Sequence, residues 1–227
     1  MRIMGHAVLD DLEVALGQNR WVREILERFE EIALPDAWLV AGSIAQTVWN
    51  LGRGQPAELG LKDVDLIYFD DQDLSFHAEA NHERRLRDLF RRLPIKLDVK
   101  NEARVHLWYK KRFGYVIKPY LSSADAIATF PTTATAVGVR RIRGKLECCA
   151  PFGLDDLFSL VVKPNKRQIT RAIYEAKVDR WCSIWPRLTV LPWEAATASR
   201  GRSKNSEPKA ARQSPADNPT PDPDPVE

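Results

Sequence analysis

The sequence is 227 residues long, carries a formal net charge of +3 at pH 7 and is 44% hydrophobic. This length fits one domain, or one domain plus appendages, and the hydrophobic content allows a substantial core. The mildly basic charge permits a nucleic-acid partner without arguing for one, and three cysteines without a C-x-x-C motif argue against a disulfide framework or a structural zinc site. No apolar run approaches the roughly 20 residues of a membrane span, so we expect a cytoplasmic protein with no membrane partner.

The first half of the chain alternates between helical and strand patterns. Apolar residues recur with helical spacing in RWVREILERFEEIA (20–33), which predicts an amphipathic helix. AWLVA (37–41) has the length of a buried strand, and IAQTVWNL (44–51) follows as a helix for which Ser43 is the expected N-cap. After a loop containing Gly and Pro, DVDLIYF (63–69) predicts a second strand.

The second half continues the alternation and then becomes helical. The predicted elements are a charged helix at 77–93, a strand at 95–100, a helix at 103–114, two strands joined near Gly144 within 137–150, and late helices at 153–162 and 166–185. The sum predicts an α/β (α+β) domain with a small mixed sheet flanked by helices and followed by C-terminal helices.

The end of the chain has a different composition. Residues 195–227 hold six of the fifteen prolines and almost nothing to bury. We interpret this segment as a disordered tail appended to a domain that spans residues 1–194. A solvated tail with no specific role is preferred to a tail that contacts an acidic partner.

Two aspartates interrupt the apolar pattern of the second strand. Side chains alternate along a strand, so Asp63 and Asp65 share one face and their Cα atoms lie roughly 6–7 Å apart. Carboxylates this close raise each other's pKa unless a cation lies between them, and Mg²⁺ prefers oxygen ligands. Asp98, in the alternating strand that follows, is the expected third metal ligand. The alternative is a solvent-facing edge strand with ordinary surface acids.

The Gly-Ser pair before the first sheet-flanking helix suits an anion. A helix N-terminus offers free N–H groups to a phosphate, and glycine lets the backbone approach it closely. We expect Gly42 to form the turn and Ser43 to donate its hydroxyl or backbone N–H to a triphosphate oxygen. Together with the three aspartates, these residues predict a two-metal site for nucleotidyl transfer.

These motifs also resemble a known family. AGS, DVDL and an acid on a following strand resemble the DNA polymerase beta-type nucleotidyltransferase superfamily. AQTVWN, KDVDLIYFD, ARVHLWYKKRFG, FPTTATAVGVR and APFGLDDLFSLVVKPNK more specifically resemble its bacterial nucleotidyltransferase-like family, over roughly Trp38 to Trp185. The resemblance implies the minimal nucleotidyltransferase fold and metal-dependent transfer of NMP from an NTP. It assigns the Gly-Ser motif to Gly42 and Ser43, and the metal acids to Asp63, Asp65 and Asp98.

Further candidates for contacts to the nucleotide lie in the second half of the chain. Thr133 and Arg140, in and after a hydroxyl-rich loop, are candidates for ribose and triphosphate contacts, and turn chemistry explains them equally well. Lys166 lies in a basic run where a phosphate is one possible ligand, and a solvated helix face is the preferred alternative.

The leading hypothesis is a Mg²⁺-dependent or Mn²⁺-dependent nucleotidyltransferase that uses an NTP and releases pyrophosphate. The acceptor hydroxyl is not identified by the sequence; a small molecule or a protein is preferred to RNA because no RNA-binding module accompanies the domain. The alternative function is a catalytically inactive nucleotide- or RNA-binding module that retains the fold.

Overall fold

A computed structural model describes residues 6–194, and the predicted tail at 195–227 lies outside the described residues. Short 3₁₀ helices occupy Phe29–Ile32 and Glu102–Arg104. In chain order the α-helices are α1 (His6–Gln18), α2 (Arg20–Glu27), α3 (Gly42–Leu51), α4 (Phe76–Leu89), α5 (Val105–Phe113), α6 (Ser123–Ile127), α7 (Asp155–Phe158) and α8 (Arg171–Ile184). The strands are β1 (Trp38–Val40), β2 (Asp63–Tyr68), β3 (Lys96–Asn101), β4 (Gly138–Ile142), β5 (Lys145–Cys149), β6 (Val161–Val162) and β7 (Thr189–Val190).

The main sheet is mixed and has the strand order β3-β2-β1-β4-β5. β2 and β3 are parallel, and the other neighbouring pairs are antiparallel. β6 and β7 form a separate parallel pair. The predicted small mixed sheet flanked by helices is therefore confirmed.

The two faces of the main sheet differ in chemistry because side chains alternate along each strand. One face is apolar: Val64 and Leu66 of β2 and Val99 of β3 are fully buried there. This face belongs to a core that also contains apolar side chains of α1, α2, α3, α4 and α8. The predicted stripe of the first amphipathic helix lies in the same core, and its members are Val22, Ile25, Leu26, Phe29 and Ile32.

The second face is only partly covered by helix. Ile127 of α6 packs there on Trp38, Val40 and Ile67. Gly138 allows this close approach, because a Cβ at that position would meet the Cδ1 atom of Ile127 at 2.8 Å. The acidic residues of β2 and β3 lie on the remaining part of this face.

The late elements differ from their predicted extents. The predicted helix at 153–162 is wrong over its second half, because Val161–Val162 pairs with Thr189–Val190 as a strand and leaves only Asp155–Phe158 helical. The last helix begins at Arg171 instead of 166, because the Thr170 hydroxyl accepts a hydrogen bond from the Ile173 N–H and caps it there. Among residues 6–194, no helix is both long and apolar enough to cross a bilayer.

Candidate functional site

Three aspartates meet on the uncovered part of the second sheet face. Asp65 of β2 and Asp98 of β3 are register partners across the parallel pair. Partners on adjacent strands share a face at a strand spacing of roughly 5 Å, and Asp63 lies on the same face two residues before Asp65. Asp63 is exposed, whereas Asp65 and Asp98 are half-buried. The structure thus places the three acids predicted from the sequence on one face of two neighbouring strands.

Asp65 is the electrostatic centre of this group. Burial, followed by the negative charges of Asp63 and Asp98, raises the pKa of Asp65 from 3.8 to about 7. Lys177 and Lys100 act in the opposite direction without cancelling these effects. Asp98 itself lies 3.2 Å from the Lys100 Nζ atom. The carboxylate face therefore carries more negative charge than its own residues neutralise.

The N-terminus of α3 lies beside Asp65. A Cβ atom built on Gly42 would lie 3.8 Å from the Asp65 Oδ2 atom, so the backbone passes close to the carboxylate. Within residues 6–194, the backbone N–H groups of Gly42, Ser43 and Ile44 donate to no protein acceptor, and α3 has no side-chain cap. These are the free donors that favour an anion at a helix N-terminus.

The turn into α3 differs from the predicted one. The N-cap is Ala41, with φ 55° and ψ −115°, so the positive φ falls on an alanine and Gly42 is already helical. The prediction of Ser43 as N-cap is wrong, as is the prediction of Gly42 as the turning residue. The strained backbone at Ala41 is the kind of local cost found at functional sites. A Cβ atom at position 42 would meet the Gln46 amide nitrogen at 2.9 Å, whereas its distance of 3.8 Å to Asp65 is an ordinary contact.

The Ser43 side chain is fully buried, and its hydroxyl is engaged within the protein. It donates to the Val40 carbonyl oxygen at 3.3 Å, while the Ser43 carbonyl accepts from the Thr47 hydroxyl at 2.6 Å. The Asn19 side chain in turn donates to Thr47 at 2.7 Å. This chain of hydrogen bonds fixes the first turn of α3 and leaves the Ser43 backbone N–H as its available donor.

Several polar residues around the carboxylates escaped the sequence prediction. The Gln46 amide nitrogen lies 2.9 Å from where a Gly42 Cβ would be, one helical turn further along α3. Glu102 is 7% exposed, and burial, followed by the charges of Glu79 and Asp65, raises its pKa to about 8. Gln46 could have been found from the sequence, because it lies four residues after Gly42 on the same helix. Glu102 follows the end of β3, and no sequence pattern pointed to it.

Lys177 approaches the same carboxylates from α8. Burial, followed by the charge of Arg180, lowers its pKa, while Asp65 and Asp63 act to raise it. The predicted solvated face of this helix therefore does not include Lys177. Its spacing supplied a signal, because it lies three residues after Tyr174 and four before Trp181, which are both buried.

The remaining predicted contacts are engaged elsewhere. The Thr133 hydroxyl donates to Asp156 at 2.5 Å, and the Lys166 ammonium lies 5.2 Å from the centre of the Trp193 ring. Arg140 lies on β4, two residues after Gly138, and its side chain contacts partners at that end of the sheet. Its partners are Asp36 at 3.3 Å, Glu147 at 2.7 Å and the Trp38 ring at 4.1 Å. The structure does not join these three residues to the carboxylate group, and their roles stay predictions.

The Asn50 side chain holds the long segment between α3 and β2 in place. The Asn50 side-chain amide donates to the carbonyl oxygens of Ala57 and Leu59, and its own oxygen accepts from the Trp185 indole at 2.7 Å. Trp185 belongs to the C-terminal end of α8. These bonds tie the segment that leads into Asp63 to the helix that carries Lys177.

The donor set suits a hard divalent cation. Within the described part of the chain, no three His, Cys, Asp or Glu side chains converge closely enough to enclose an ion as they stand. Asp98 is paired with Lys100, and Asp65 has its pKa raised by burial and then by its acidic neighbours. Carboxylate oxygens with excess negative charge fit Mg²⁺ or Mn²⁺, which are bound by one or two carboxylates together with substrate phosphates.

Comparisons with known proteins agree with this arrangement. A family model described as nucleotidyltransferase matches residues 27–190. The chain is also similar to a solved structure described as "The NMR structure of the protein reveals a CCA-adding enzyme head domain", with 25% identity, a TM-score of 0.66, and coverage of 81% of this chain and 95% of that one. No curated protein matches the sequence. The matched residues include the carboxylates, the start of α3 and Lys177.

Proposed function

We propose, because the chain belongs to the nucleotidyltransferase family, that it moves NMP from an NTP to an acceptor hydroxyl and releases pyrophosphate. The family membership confirms the resemblance inferred from the sequence. The observation that carries the proposal is the register of Asp65 with Asp98 beside the unpaired N-terminus of α3. Carboxylates that favour a cation lie there beside backbone N–H groups that favour an anion, and a complex of a nucleotide with a metal ion carries both charges.

The carboxylates would hold the divalent cations. Asp63, Asp65 and Asp98 are the proposed ligands, and Mg²⁺ or Mn²⁺ bound there would supply activation of the attacking oxygen and neutralisation of the triphosphate. Burial and then the charges of Asp63 and Asp98 raise the pKa of Asp65, and this supports the role because a bound cation would offset both effects.

The N-terminus of α3 would orient the triphosphate. The N–H groups of Gly42, Ser43 and Ile44 point outward from the first turn without protein acceptors, and the helix dipole favours negative charge there. The absence of a side chain at Gly42 leaves room for a phosphate next to Asp65. These residues would align the α-phosphorus with the attacking hydroxyl, so that the bond to the leaving pyrophosphate breaks opposite the new bond.

The acceptor class is open among three chemistries. The similarity to a CCA-adding enzyme head domain supports an RNA 3′-hydroxyl. A small molecule or a protein hydroxyl is the preference drawn from the sequence. All three place an oxygen nucleophile on the open carboxylate face.

Label transfer tests the proposal directly. Wild-type protein is incubated with each of the four α-³²P NTPs, Mg²⁺ or Mn²⁺, and cell extract as the source of acceptors. Asp65→Asn is compared with Asp71→Asn, which changes an exposed acid just after the same strand. We expect label on one acceptor class with wild type and Asp71→Asn and none with Asp65→Asn. Label transfer that survives Asp65→Asn would contradict the site, and no transfer from any NTP would favour the non-catalytic binding module.

A further inference from the structure

A groove of about 1010 Å³ lies between α2 and the C-terminal end of α4. Five of its lining residues are arginines, namely Arg20, Arg23 and Arg28 of α2 and its C-cap and Arg91 and Arg92 after α4. Arg28 connects the two walls, because its guanidinium donates to the Leu89 carbonyl oxygen at 3.1 Å and lies 5.2 Å from the centre of the Phe90 ring. These contacts hold the two basic walls of the groove together.

Three acids also line the groove, and two of them face an arginine four positions away. The Glu24 carboxylate lies 3.9 Å from the Arg28 guanidinium, and the Glu27 carboxylate lies 3.9 Å from the Arg23 guanidinium. Asp88 is the third acid. Because five arginines face three acids, the groove carries a surplus of positive charge.

The surplus is concentrated at Arg91 and Arg92. Both side chains are exposed, and within residues 6–194 neither makes a salt bridge or a hydrogen bond to another residue. Arg87, one turn earlier on α4, is instead paired with Glu83. A guanidinium presents planar donors that match the oxygens of a phosphate, so this pair of arginines favours a ligand that carries phosphates.

One end of the groove borders the end of the main sheet where β2 and β3 begin. The lining ends at Pro94, two residues before Lys96, which is the register partner of Asp63. On the opposite wall, the Arg20 backbone N–H donates to the Glu58 carboxylate at 2.9 Å, and Glu58 belongs to the segment that leads into Asp63. A polymer lying in the groove can therefore continue past this end of the sheet to the carboxylate face.

We propose that this groove binds the sugar–phosphate backbone of RNA, and that the 3′-hydroxyl of this RNA is the acceptor. The inference rests on the proposed function and specifies the acceptor class which that function leaves open. The hydroxyl oxygen forms the new bond to the α-phosphorus of the NTP as the bond to pyrophosphate breaks, and the hydroxyl proton passes to solvent.

Two observations favour RNA over the other acceptors. A small molecule needs no binding surface outside the carboxylate face, whereas a polymer that extends away from the carboxylates needs one. The Trp21 ring lines the same groove, is half-exposed and lies 5.6 Å from the Arg20 guanidinium. An aromatic ring among arginines suits the bases and phosphates of a nucleic acid better than it suits the acidic side chains of a protein.

A solvated basic surface is the competing explanation. In that case RNA is attracted only by the net charge of the protein, which is +3. Removing two positive charges from any exposed place would then weaken RNA binding equally. The two explanations therefore differ in whether the position of the charges matters.

Fluorescence anisotropy with a labelled single-stranded RNA of mixed sequence separates them. The full chain is titrated in EDTA, so that binding is measured without a metal ion and without transfer. Arg91→Gln/Arg92→Gln is compared with wild type and with Lys110→Gln/Lys111→Gln, which removes two exposed charges of α5.

The groove variant is expected to lose RNA affinity. Its dissociation constant should rise by about tenfold or more, whereas that of the α5 variant should stay within about threefold of wild type. The slope of log affinity against log salt should fall by about 1.4 in the groove variant, because each phosphate contact to a single strand contributes about 0.7.

The outcomes are distinct from those of the transfer assay. No RNA binding by wild type, equal affinities of the two double variants, or displacement of the RNA by polyglutamate at the same concentration of charge would overturn this inference. Label transfer to a protein or a small molecule would also overturn it and would still establish the enzyme. RNA affinity that depends on Arg91 and Arg92 without any label transfer would support the groove and count against the transferase.

Discussion

The charged residues at the two ends of one sheet face differ in the charges that surround them. At the β4 end, Arg140 is enclosed by Asp36, Glu147 and the Trp38 ring, so its charge is satisfied within the protein. At the β2–β3 end, Asp65 faces further acids, and its pKa is raised to about 7. Both residues lie on strands of the main sheet, and the sequence made both candidates for the same site.

The two residues differ in whether the protein itself supplies a partner of opposite charge. A charge paired by its own neighbours stabilises the sheet, whereas a charge surrounded by like charge favours a ligand of opposite sign. The carboxylate end also borders the free amides of α3, and the charges of Asp65 and Asp63 act on Lys177. Substitutions at the two ends should therefore have different consequences, for activity at one end and for stability at the other.

The largest effect is expected from Asp98→Asn. Loss of one of the two in-register carboxylates should reduce the rate of label transfer by about 10³-fold or more, because it removes a proposed metal ligand. The rate is measured with the acceptor that wild type labels. Lys100→Gln is the control, because it breaks the same 3.2 Å ion pair and keeps the carboxylate. A loss of equal size in both variants would attribute the effect to the ion pair.

Gly42→Ala should impair nucleotide use by about 10²-fold. The new methyl group lies between Asp65 and the first turn of α3, where it would displace a bound phosphate by a fraction of an ångström or more. Steady-state kinetics in NTP measures kcat/KM. The methyl group also collides with Gln46, so Gly42→Ala/Gln46→Ala removes that collision alone. Recovery of activity in the double variant would contradict the role of Gly42 in phosphate approach.

Asp65→Asn should make the metal-free protein more stable at neutral pH. The folded pKa of Asp65 is raised from 3.8 to about 7, so between these values the folded state binds more protons than the unfolded state. The free energy of unfolding then falls as pH rises through this window, and this group contributes about 3 kcal/mol of that fall between pH 5 and pH 8. Urea denaturation in EDTA at pH 5 and pH 8 measures the change.

The neighbouring Glu102, whose pKa is raised to about 8, contributes with the same sign. We therefore expect Asp65→Asn to reduce the pH dependence without abolishing it. A wild-type protein whose stability rises from pH 5 to pH 8, or a variant with an unchanged slope, would contradict the proposed repulsion.

The smallest effect is expected from Arg140→Gln. Its partly exposed ion pairs and its contact with the Trp38 ring should be worth about 1 kcal/mol of stability. Thermal denaturation measures this loss, and label transfer should stay within twofold of wild type. A large loss of transfer with little change in stability would instead support the triphosphate contact predicted from the sequence.

Patterns along single segments were enough to predict the sheet and the three acids. Alternation placed Asp63, Asp65 and Asp98 on strands, and the apolar residues between them are buried as expected. The parallel register that puts Asp65 opposite Asp98 depends on how two distant segments pair. Residue types on the strands therefore predicted which acids share a face, tertiary structure supplied their register, and their role as metal ligands stays a prediction.

The donors around the acids were harder to predict. A positive φ at Ala41 is uncommon for a residue with a Cβ atom, so the glycine beside it was the natural choice for the turn. The sequence made Arg140 a candidate for a phosphate contact and did not single out Lys177, although both residues are basic. Their difference depends on contacts from remote segments: α8 docks Lys177 beside Asp65, whereas Asp36 and Glu147 enclose Arg140.

Binding of Mn²⁺ in the presence of a non-hydrolysable NTP analogue tests the comparison most directly. Electron paramagnetic resonance reports the fraction of free Mn²⁺ for wild type, Asp65→Asn and Arg140→Gln. We expect wild type and Arg140→Gln to bind the ion with the nucleotide and Asp65→Asn to lose that binding. Equal Mn²⁺ binding by all three proteins, or loss of binding in Arg140→Gln alone, would contradict a cation site on the carboxylate end of the sheet.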